Sequence, residues 1–175
     1  MEIAVVLFEG FTALDAVAPH DLLSRLPGLR VTFAAEWVGP VRSDSGRLAL
    51  VADAQLAELP RPDVVVVPGG PGHRRHMANG SLHRWLRAAD LTSRWTVGVG
   101  EGALVLAAAG PLRGRRAASS AELVSLELRG HGAIPVGDGV ATDGKYWTAA
   151  DGTAAIELAA ELGGRIGRQT LPKPI

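Results

Sequence analysis

The segment DVVVVPGGPG, residues 63–72, is the most informative part of this chain for its fold class. Four consecutive valines form a short, unbroken apolar run, which predicts a strand buried on both faces of a parallel sheet. The glycine-rich turn that follows ends this strand and returns the chain toward a helix. A strand that needs cover on both faces predicts an α/β domain with helices on either side of its sheet.

Strand and helix patterns alternate along the chain on both sides of this segment. Strands are predicted at 3–8, 30–35 and 95–99, and hairpins at 39–51 and 140–149, the second around Asp143-Gly144. Helices are predicted at 12–26, 82–89, 101–109, 121–128 and 153–162, the last ended by Gly163-Gly164, with a frayed tail from Arg168. The alternation predicts one domain, residues 1–175, built on a mostly parallel sheet.

Composition and charge exclude several classes of function. Eighteen basic residues balance eighteen acidic ones, so charge gives no argument for a nucleic-acid partner. The N-terminus lacks a basic signal-peptide region, and no apolar run approaches the roughly 20 residues of a membrane span. The absence of cysteine rules out disulfides, thiolate metal sites and a thiol nucleophile. We therefore expect a cytoplasmic protein that does not bind a membrane. A separate expectation is that it uses no cofactor.

Three loops follow the carboxyl ends of predicted strands, where open parallel sheets bind their ligands. They are residues 9–15, 68–72 and 98–102. In the second loop, the backbone N–H groups of Gly70 and Gly72 can hold an oxyanion or carbonyl oxygen, or the glycines can simply make a tight turn. No Gly-Lys-Ser/Thr follows, so this loop is not a phosphate-binding P-loop.

The third loop, GVGEG at 98–102, has the spacing of a nucleophile elbow with Gly100 at its apex. An apex residue other than glycine is strained by about 1–3 kcal/mol. A chain that no longer needs the nucleophile can relieve that strain with glycine. An ordinary glycine turn is the alternative interpretation.

The stretches LFEGFTALD (7–15), GPVRSD (39–44), VVPGGPG (66–72) and GALVLAAAG (102–110) together resemble the ThiJ/PfpI superfamily. The resemblance is greatest to the branch of isonitrile hydratase and the amidotransferase-like domains of AraC-type regulators. It implies a flavodoxin-like three-layer sandwich, a homodimer and a small-molecule substrate or ligand. It also implies an enzyme site in which an elbow cysteine lies beside a carboxylate from the first loop.

The sequence departs from that family pattern at the site itself. Gly100 stands at the cysteine position, and Glu101 stands where this branch typically has threonine. Ser120 replaces the histidine of a Thr-His-Trp motif, and Asp151 falls where relatives have a small residue. The covalent thiol mechanism of the family therefore cannot be carried over.

The carboxylates of Asp15, Glu101 and Asp151 are expected to converge near Gly100. Crowded acids in a partly apolar cleft differ in pKa, as general acid–base catalysis requires. We hypothesise a cofactor-independent enzyme that hydrates, dehydrates, isomerises or cyclises a small organic molecule. Asp15 or Glu101 would transfer the proton.

In this hypothesis the substrate is bound by Gly70, Gly72, Gly100, Ser120 and Asp151. A non-catalytic binding or regulatory module is the main alternative, since the cysteine and the associated histidine are both absent. A third possibility is a hard metal ion held by the carboxylates with His20. For Asp15 and Glu101 the structural alternative is stabilisation of a helix N-terminus.

The remaining histidines and tryptophans are interpreted as structural. His73, His76 and His83 are predicted to be exposed. Trp85 and Trp147 are predicted as core or dimer contacts, and Trp37 and Trp95 are predicted to be core residues that could alternatively line a pocket.

Overall fold

The computed structural model describes residues 1–170 and consists of a central sheet with flanking helices. The strands are β1 (Glu2–Val6), β2 (Arg30–Ala35), β3 (Gly39–Arg42), β4 (Ala49–Ala52), β5 (Ala54–Gln55), β6 (Val64–Val67), β7 (Trp95–Val99), β8 (Arg116–Ala117), β9 (Ile134–Pro135), β10 (Val140–Asp143) and β11 (Tyr146–Ala149). The α-helices are α1 (Ala13–Ser24), α2 (Ser81–Asp90), α3 (Gly102–Ala109), α4 (Glu122–Gly130) and α5 (Gly152–Thr170). Short 3-10 helices form at Leu56–Glu58 and Pro71–His76.

The main sheet has seven strands in the order β10-β11-β7-β6-β1-β2-β5. Every neighbouring pair in it is parallel except the β10–β11 hairpin at one edge. From β1 the chain passes to β2 on one side and later returns to β6 on the other side. The carboxyl ends of β1 and β6 therefore meet at a topological switch point, where the loops of an open sheet part and leave a crevice.

The core lies between the sheet and two groups of helices. Helices α1 and α5 pack on each other, whereas α3 packs on α2 and α4. The valines of β6 are 0–1% exposed, because helices cover both faces of the central strands. The predicted flavodoxin-like three-layer sandwich with a mostly parallel sheet is confirmed.

The prediction that Gly163-Gly164 ends the last helix is wrong, because α5 continues to Thr170. Gly163 is buried against α1, and a Cβ atom there would lie 3.0 Å from Leu26 Cδ1. Gly163 therefore allows the two segments to pack closely. The helix continues beyond it, and the side chains of Leu162 and Ile166 are buried on either side of it in the sequence. Of the predicted frayed tail, 168–170 are helical and 171–175 lie outside the described residues.

Four predictions about single side chains are also wrong. One of them concerns His76, because it is half-buried beside Phe8. His73 and His83 are buried, at 4% and 2% exposure, because the 3-10 turn at Pro71–His76 and helix α2 turn them inward. Trp37 is not a core residue, since 75% of it is exposed. Trp85, Trp95 and Trp147 are buried. No helix within residues 1–170 combines the length and the apolar character needed to cross a lipid bilayer.

Candidate active site

Two reciprocal hydrogen bonds join the start of α1 to the loop after β6. The N–H of Thr12 donates to the carbonyl of Gly69 at 2.9 Å. The N–H of Gly69 donates in return to Asp15 Oδ2 at 3.0 Å. These bonds hold the Asp15 side chain, which is only 3% exposed, over the carboxyl end of the sheet.

The loop after β6 is interleaved with the loop after β1. The N–H of Gly72 donates to the carbonyl of Gly10 at 3.1 Å, and a Cβ on Gly72 would lie 1.9 Å from the carbonyl oxygen of Glu9. Only glycine fits such an approach. The Gly70 carbonyl accepts from both the N–H and the Nδ1 atom of His73, at 3.0 and 2.8 Å.

The third loop forms a sharp turn between β7 and α3. Gly100 has a φ of +52°, a left-handed conformation that favours glycine, and its N–H donates to the carbonyl of Ala149 at 2.9 Å. A Cβ on Gly102 would lie 2.0 Å from the carbonyl oxygen of Val67, so this position also requires glycine. A Cβ on Gly100 would point toward Asp15, 3.1 Å from Oδ2. The missing side chain thus leaves space directly beside the buried carboxylate.

Glu101 follows the apex and turns its side chain away from its own helix. It stands at the N-cap of α3 but makes no side-chain capping bond there. Instead its Oε2 atom accepts the N–H of Gly70 at 2.9 Å. The interpretation of Gly70 and Gly72 as free donors for a substrate oxygen is therefore wrong, since Glu101 and Gly10 already accept their N–H groups.

A cavity of about 250 Å³ opens between these loops and the segment before α4. Its lining consists of Thr12, Asp15, Gly100, Glu101, Ser119, Ser120, Ala121, Val124, Ala150, Asp151 and Gly152. The structure therefore brings Asp15, Gly100, Glu101, Ser120 and Asp151 together. Gly70 and Gly72 are absent from this lining.

The ionisation of Asp15 is strongly perturbed. Its pKa is raised from the usual 3.8 to about 6, chiefly by burial, whereas the hydrogen bond from Gly69 acts in the opposite direction. The carboxylates of Glu101, Asp151 and Asp44 contribute to the same increase, because an additional negative charge is unfavourable beside them. Asp15 can therefore exchange a proton close to neutral pH.

The sequence profile of the DJ-1/PfpI family matches residues 1–163. The chain belongs to the DJ-1/PfpI family. It is similar to the isonitrile hydratase of Pseudomonas putida, with 35% identity over 162 residues, which cover 93% of this chain and 70% of that protein. It is also similar to the HTH-type transcriptional regulator CdhR of Pseudomonas aeruginosa, with 32% identity over 125 residues, 71% of this chain and 37% of the regulator.

Solved structures of the same superfamily have the same fold. A ThiJ/PfpI family protein from Pseudomonas syringae superposes with a TM-score of 0.83 at 27% identity, covering 99% of this chain and 77% of the other. A cysteine-to-alanine mutant of a DJ-1 superfamily protein from Salmonella typhimurium superposes with a TM-score of 0.84 at 28% identity, covering 94% and 89%. Both are experimental structures of DJ-1/PfpI relatives, and their close superposition accounts for nearly the whole chain.

Two members of this DJ-1/PfpI site have structural roles besides facing the cavity. Asp151 Oδ1 accepts the N–H of Ala154 at 2.9 Å and so caps the N-terminus of α5.

Ser119, which the sequence did not single out as a ligand, lines the cavity and is 6% exposed. Its hydroxyl is fixed by the Ala121 carbonyl and the Ser125 hydroxyl. Thr12 and Val124 were also missed, because nothing in their local sequence marks a ligand.

The metal hypothesis receives no support from the geometry. Within residues 1–170, no group of three or more His, Asp or Glu side chains is arranged to hold a metal ion. His20 stacks on Phe33 with ring centroids 4.1 Å apart and is absent from the lining of the cavity.

A second cavity, of about 340 Å³, lies on the other side of the loop after β1. Trp37 lines it with Phe8, Val41 and His76, so the alternative that Trp37 lines a pocket is correct. The lining is mostly apolar and includes none of the elbow residues. The carboxylate with the raised pKa, Asp15, lies instead at the smaller cavity.

Proposed function

We propose that this DJ-1/PfpI protein is a cofactor-independent acid–base enzyme of the hydratase type, acting on a small organic molecule through Asp15. The observation that carries the proposal is the buried Asp15 carboxylate, whose pKa is raised to about 6 at the wall of the cavity. The similarity to a protein named isonitrile hydratase favours hydration over dehydration, isomerisation and cyclisation.

Adding water to an unsaturated bond requires one proton delivered to the substrate and one removed from water. Near neutral pH Asp15 is present in both forms, so the protonated acid can protonate the substrate. The resulting carboxylate can then take a proton from the attacking water as the carbon–oxygen bond forms. The net reaction adds one water molecule to the substrate. Asp15 returns to its protonated form, and no covalent enzyme intermediate is formed.

The space at Gly100 gives the reacting atom a position. An atom at the place of a Gly100 Cβ would lie 3.1 Å from Asp15 Oδ2, which is a hydrogen-bonding distance. Glu101, Ser120 and Asp151 would hold the rest of the molecule from the other walls. Glu101 is a weaker candidate for proton transfer than Asp15, because its side chain is only half-buried, whereas Asp15 is 3% exposed.

The test is turnover of a panel of small hydratable compounds that includes an alkyl isonitrile, followed by NMR as the hydrated product forms. Asp15→Asn is expected to lower kcat by about 100-fold or more, the usual contribution of a general acid or base. Asp21→Asn is the matched control, because that carboxylate is exposed on α1 and paired with Arg25. Near-native turnover in both Asp15→Asn and Glu101→Gln would remove the proposal.

A small-molecule-binding module is the second candidate. It is favoured by the match to a transcriptional regulator and by the lack of a thiol in this chain. Tight binding of a compound that the protein does not convert, over the whole panel, would support this candidate instead.

The family resemblance also supports a homodimer, and we propose that state together with a cytoplasmic location. Light scattering coupled to gel filtration tests the first. Fractionation of the host cell tests the second.

A further inference from the structure

Three backbone N–H groups close to Asp15 are donated to oxygen atoms of the protein itself. The N–H of Gly69 is donated to Asp15, and the N–H of Gly70 to Glu101. The N–H of Gly100 is donated to the carbonyl of Ala149. These three backbone donors are therefore not available to a carbonyl oxygen or an anion of a ligand.

All ionisable side chains that line the cavity are acidic. Asp15, Glu101 and Asp151 are its ionisable residues, and no lysine, arginine or histidine of the described chain is among its lining residues. The remaining polar side chains are the hydroxyls of Thr12, Ser119 and Ser120. An anionic ligand would thus meet like charges with no compensating cation, which is strongly unfavourable in a partly enclosed site.

One oxygen of the buried carboxylate has no protein partner. Asp15 Oδ2 accepts the N–H of Gly69, but no donor within residues 1–170 reaches Oδ1. Oδ1 is also absent from the fully enclosed unpaired atoms of the described chain, so it keeps contact with the cavity. It lies beside Gly152, since a Cβ there would be 2.8 Å away. The Asp15 side chain, which is 3% exposed, therefore presents Oδ1 as an unpaired acceptor to a ligand in the cavity.

We propose that the ligand of this cavity carries a positively charged N–H group, of the ammonium, amidinium or iminium class. This proposal rests on the proposed function for its choice of site and narrows the substrate class. The N–H group donates to Asp15 Oδ1, and its charge is balanced by Glu101 and Asp151. Asp15 Oδ2 lies beside the space at Gly100, so this part of the cavity is also bordered by an acceptor oxygen.

Three compounds of nearly equal shape test the charge dependence: benzamidinium, benzamide and benzoate. Each is titrated into ¹⁵N-labelled full-length protein at constant ionic strength and about neutral pH, and the amide signals of Gly100, Ser120 and Gly152 are followed. Benzamidinium is expected to bind at least about tenfold more tightly than benzamide, and benzoate is expected not to shift these signals. Binding of benzamide or benzoate as tight as that of benzamidinium overturns the proposal, as does a failure of all three to bind.

Variants then locate the interaction. Glu101→Gln and Asp151→Asn are each expected to weaken benzamidinium binding by about threefold or more, whereas Asp21→Asn leaves it unchanged. Equal binding in all three variants overturns the assignment to this cavity. These binding data are independent of turnover, so selective cation binding with unimpaired turnover in Asp15→Asn would remove only the catalytic proposal. Loss of turnover in Asp15→Asn, together with equal binding of the cation and its neutral analogue, would remove only the proposal of a positively charged ligand.

Discussion

The carboxylate of Glu101 accepts the backbone N–H of Gly70 at 2.9 Å, although 31 residues separate the two in the sequence. This contact fixes the elbow after β7 to the loop after β6. It also brings a second negative charge close to Asp15, because a Cβ on Gly69 would meet oxygens of both carboxylates, at 2.6 and 2.7 Å.

Glu101→Ala removes the acceptor of the Gly70 N–H. We expect the free energy of unfolding to fall by about 1 kcal/mol, since a bond to a charged acceptor is lost while repulsion with Asp15 is relieved. The Gly70 amide is expected to exchange its hydrogen about fivefold faster by NMR. Glu101→Gln keeps an oxygen acceptor and should preserve slow exchange. Glu122→Ala, at an exposed site in α4, is the control, and equal exchange rates for Gly70 in all these proteins would contradict the expectation.

Asp15→Asn should stabilise the protein near neutral pH. The folded state raises the pKa of Asp15 from 3.8 to about 6, so folding disfavours the charged form. This destabilisation is absent below pH 3.8, grows as the pH rises to about 6 and is complete above that value. The variant should therefore gain up to about 3 kcal/mol over the wild type across that window. Urea unfolding at several pH values measures the difference, and a difference independent of pH would refute the expectation.

Gly100→Ala tests the turn at the elbow. A left-handed φ of +52° costs an L-residue about 1–2 kcal/mol, and the new methyl group would lie 3.1 Å from Asp15 Oδ2. We expect a loss of stability of at least about 1 kcal/mol together with weaker ligand binding. Gly130→Ala is the matched control, because nothing lies within 4 Å of its Cβ position and its φ is not positive. That substitution, at the end of α4, should be neutral or slightly stabilising, so similar losses in both variants would be evidence against strain at Gly100.

Truncation of two tryptophans should change the free energy of unfolding by very different amounts. Trp147 is fully buried, and Trp147→Ala should cost about 3–5 kcal/mol. Trp37 is 75% exposed, and Trp37→Ala should change the free energy of unfolding by less than about 0.5 kcal/mol. Denaturant unfolding measures both values. A large loss on truncation of Trp37 would indicate that its surface is covered in solution.

Much of the fold follows from local sequence. The strands β2, β7, β10 and β11 have the predicted bounds, because apolar runs and the Asp143-Gly144 turn specify them without long-range information. The end of α5 could not be predicted, since the close packing of Gly163 against Leu23 and Leu26 depends on a distant part of the sequence. His73 was misassigned because its neighbours are arginines, whereas its burial depends on the turn after Gly70.

The location of the site could be predicted from the sequence, but the hydrogen bonds of its side chains could be predicted only in part. Asp15, Glu101 and Asp151 follow strands whose carboxyl ends meet, so a parallel sheet implies that they approach one another. The sequence could not show that Glu101 would take the N–H of Gly70, because that depends on one side-chain rotamer and on two distant loops.

The interleaving of the loops after β1 and β6 bears on how fast and how tightly a ligand binds. Bonds from Thr12 to Gly69 and from Gly72 to Gly10 leave neither loop able to move without the other. The conformational entropy of this part of the binding surface is lost when the protein folds, not when the ligand arrives. A ligand therefore encounters Asp15 in its final position, and association on this side of the cavity requires no closing motion.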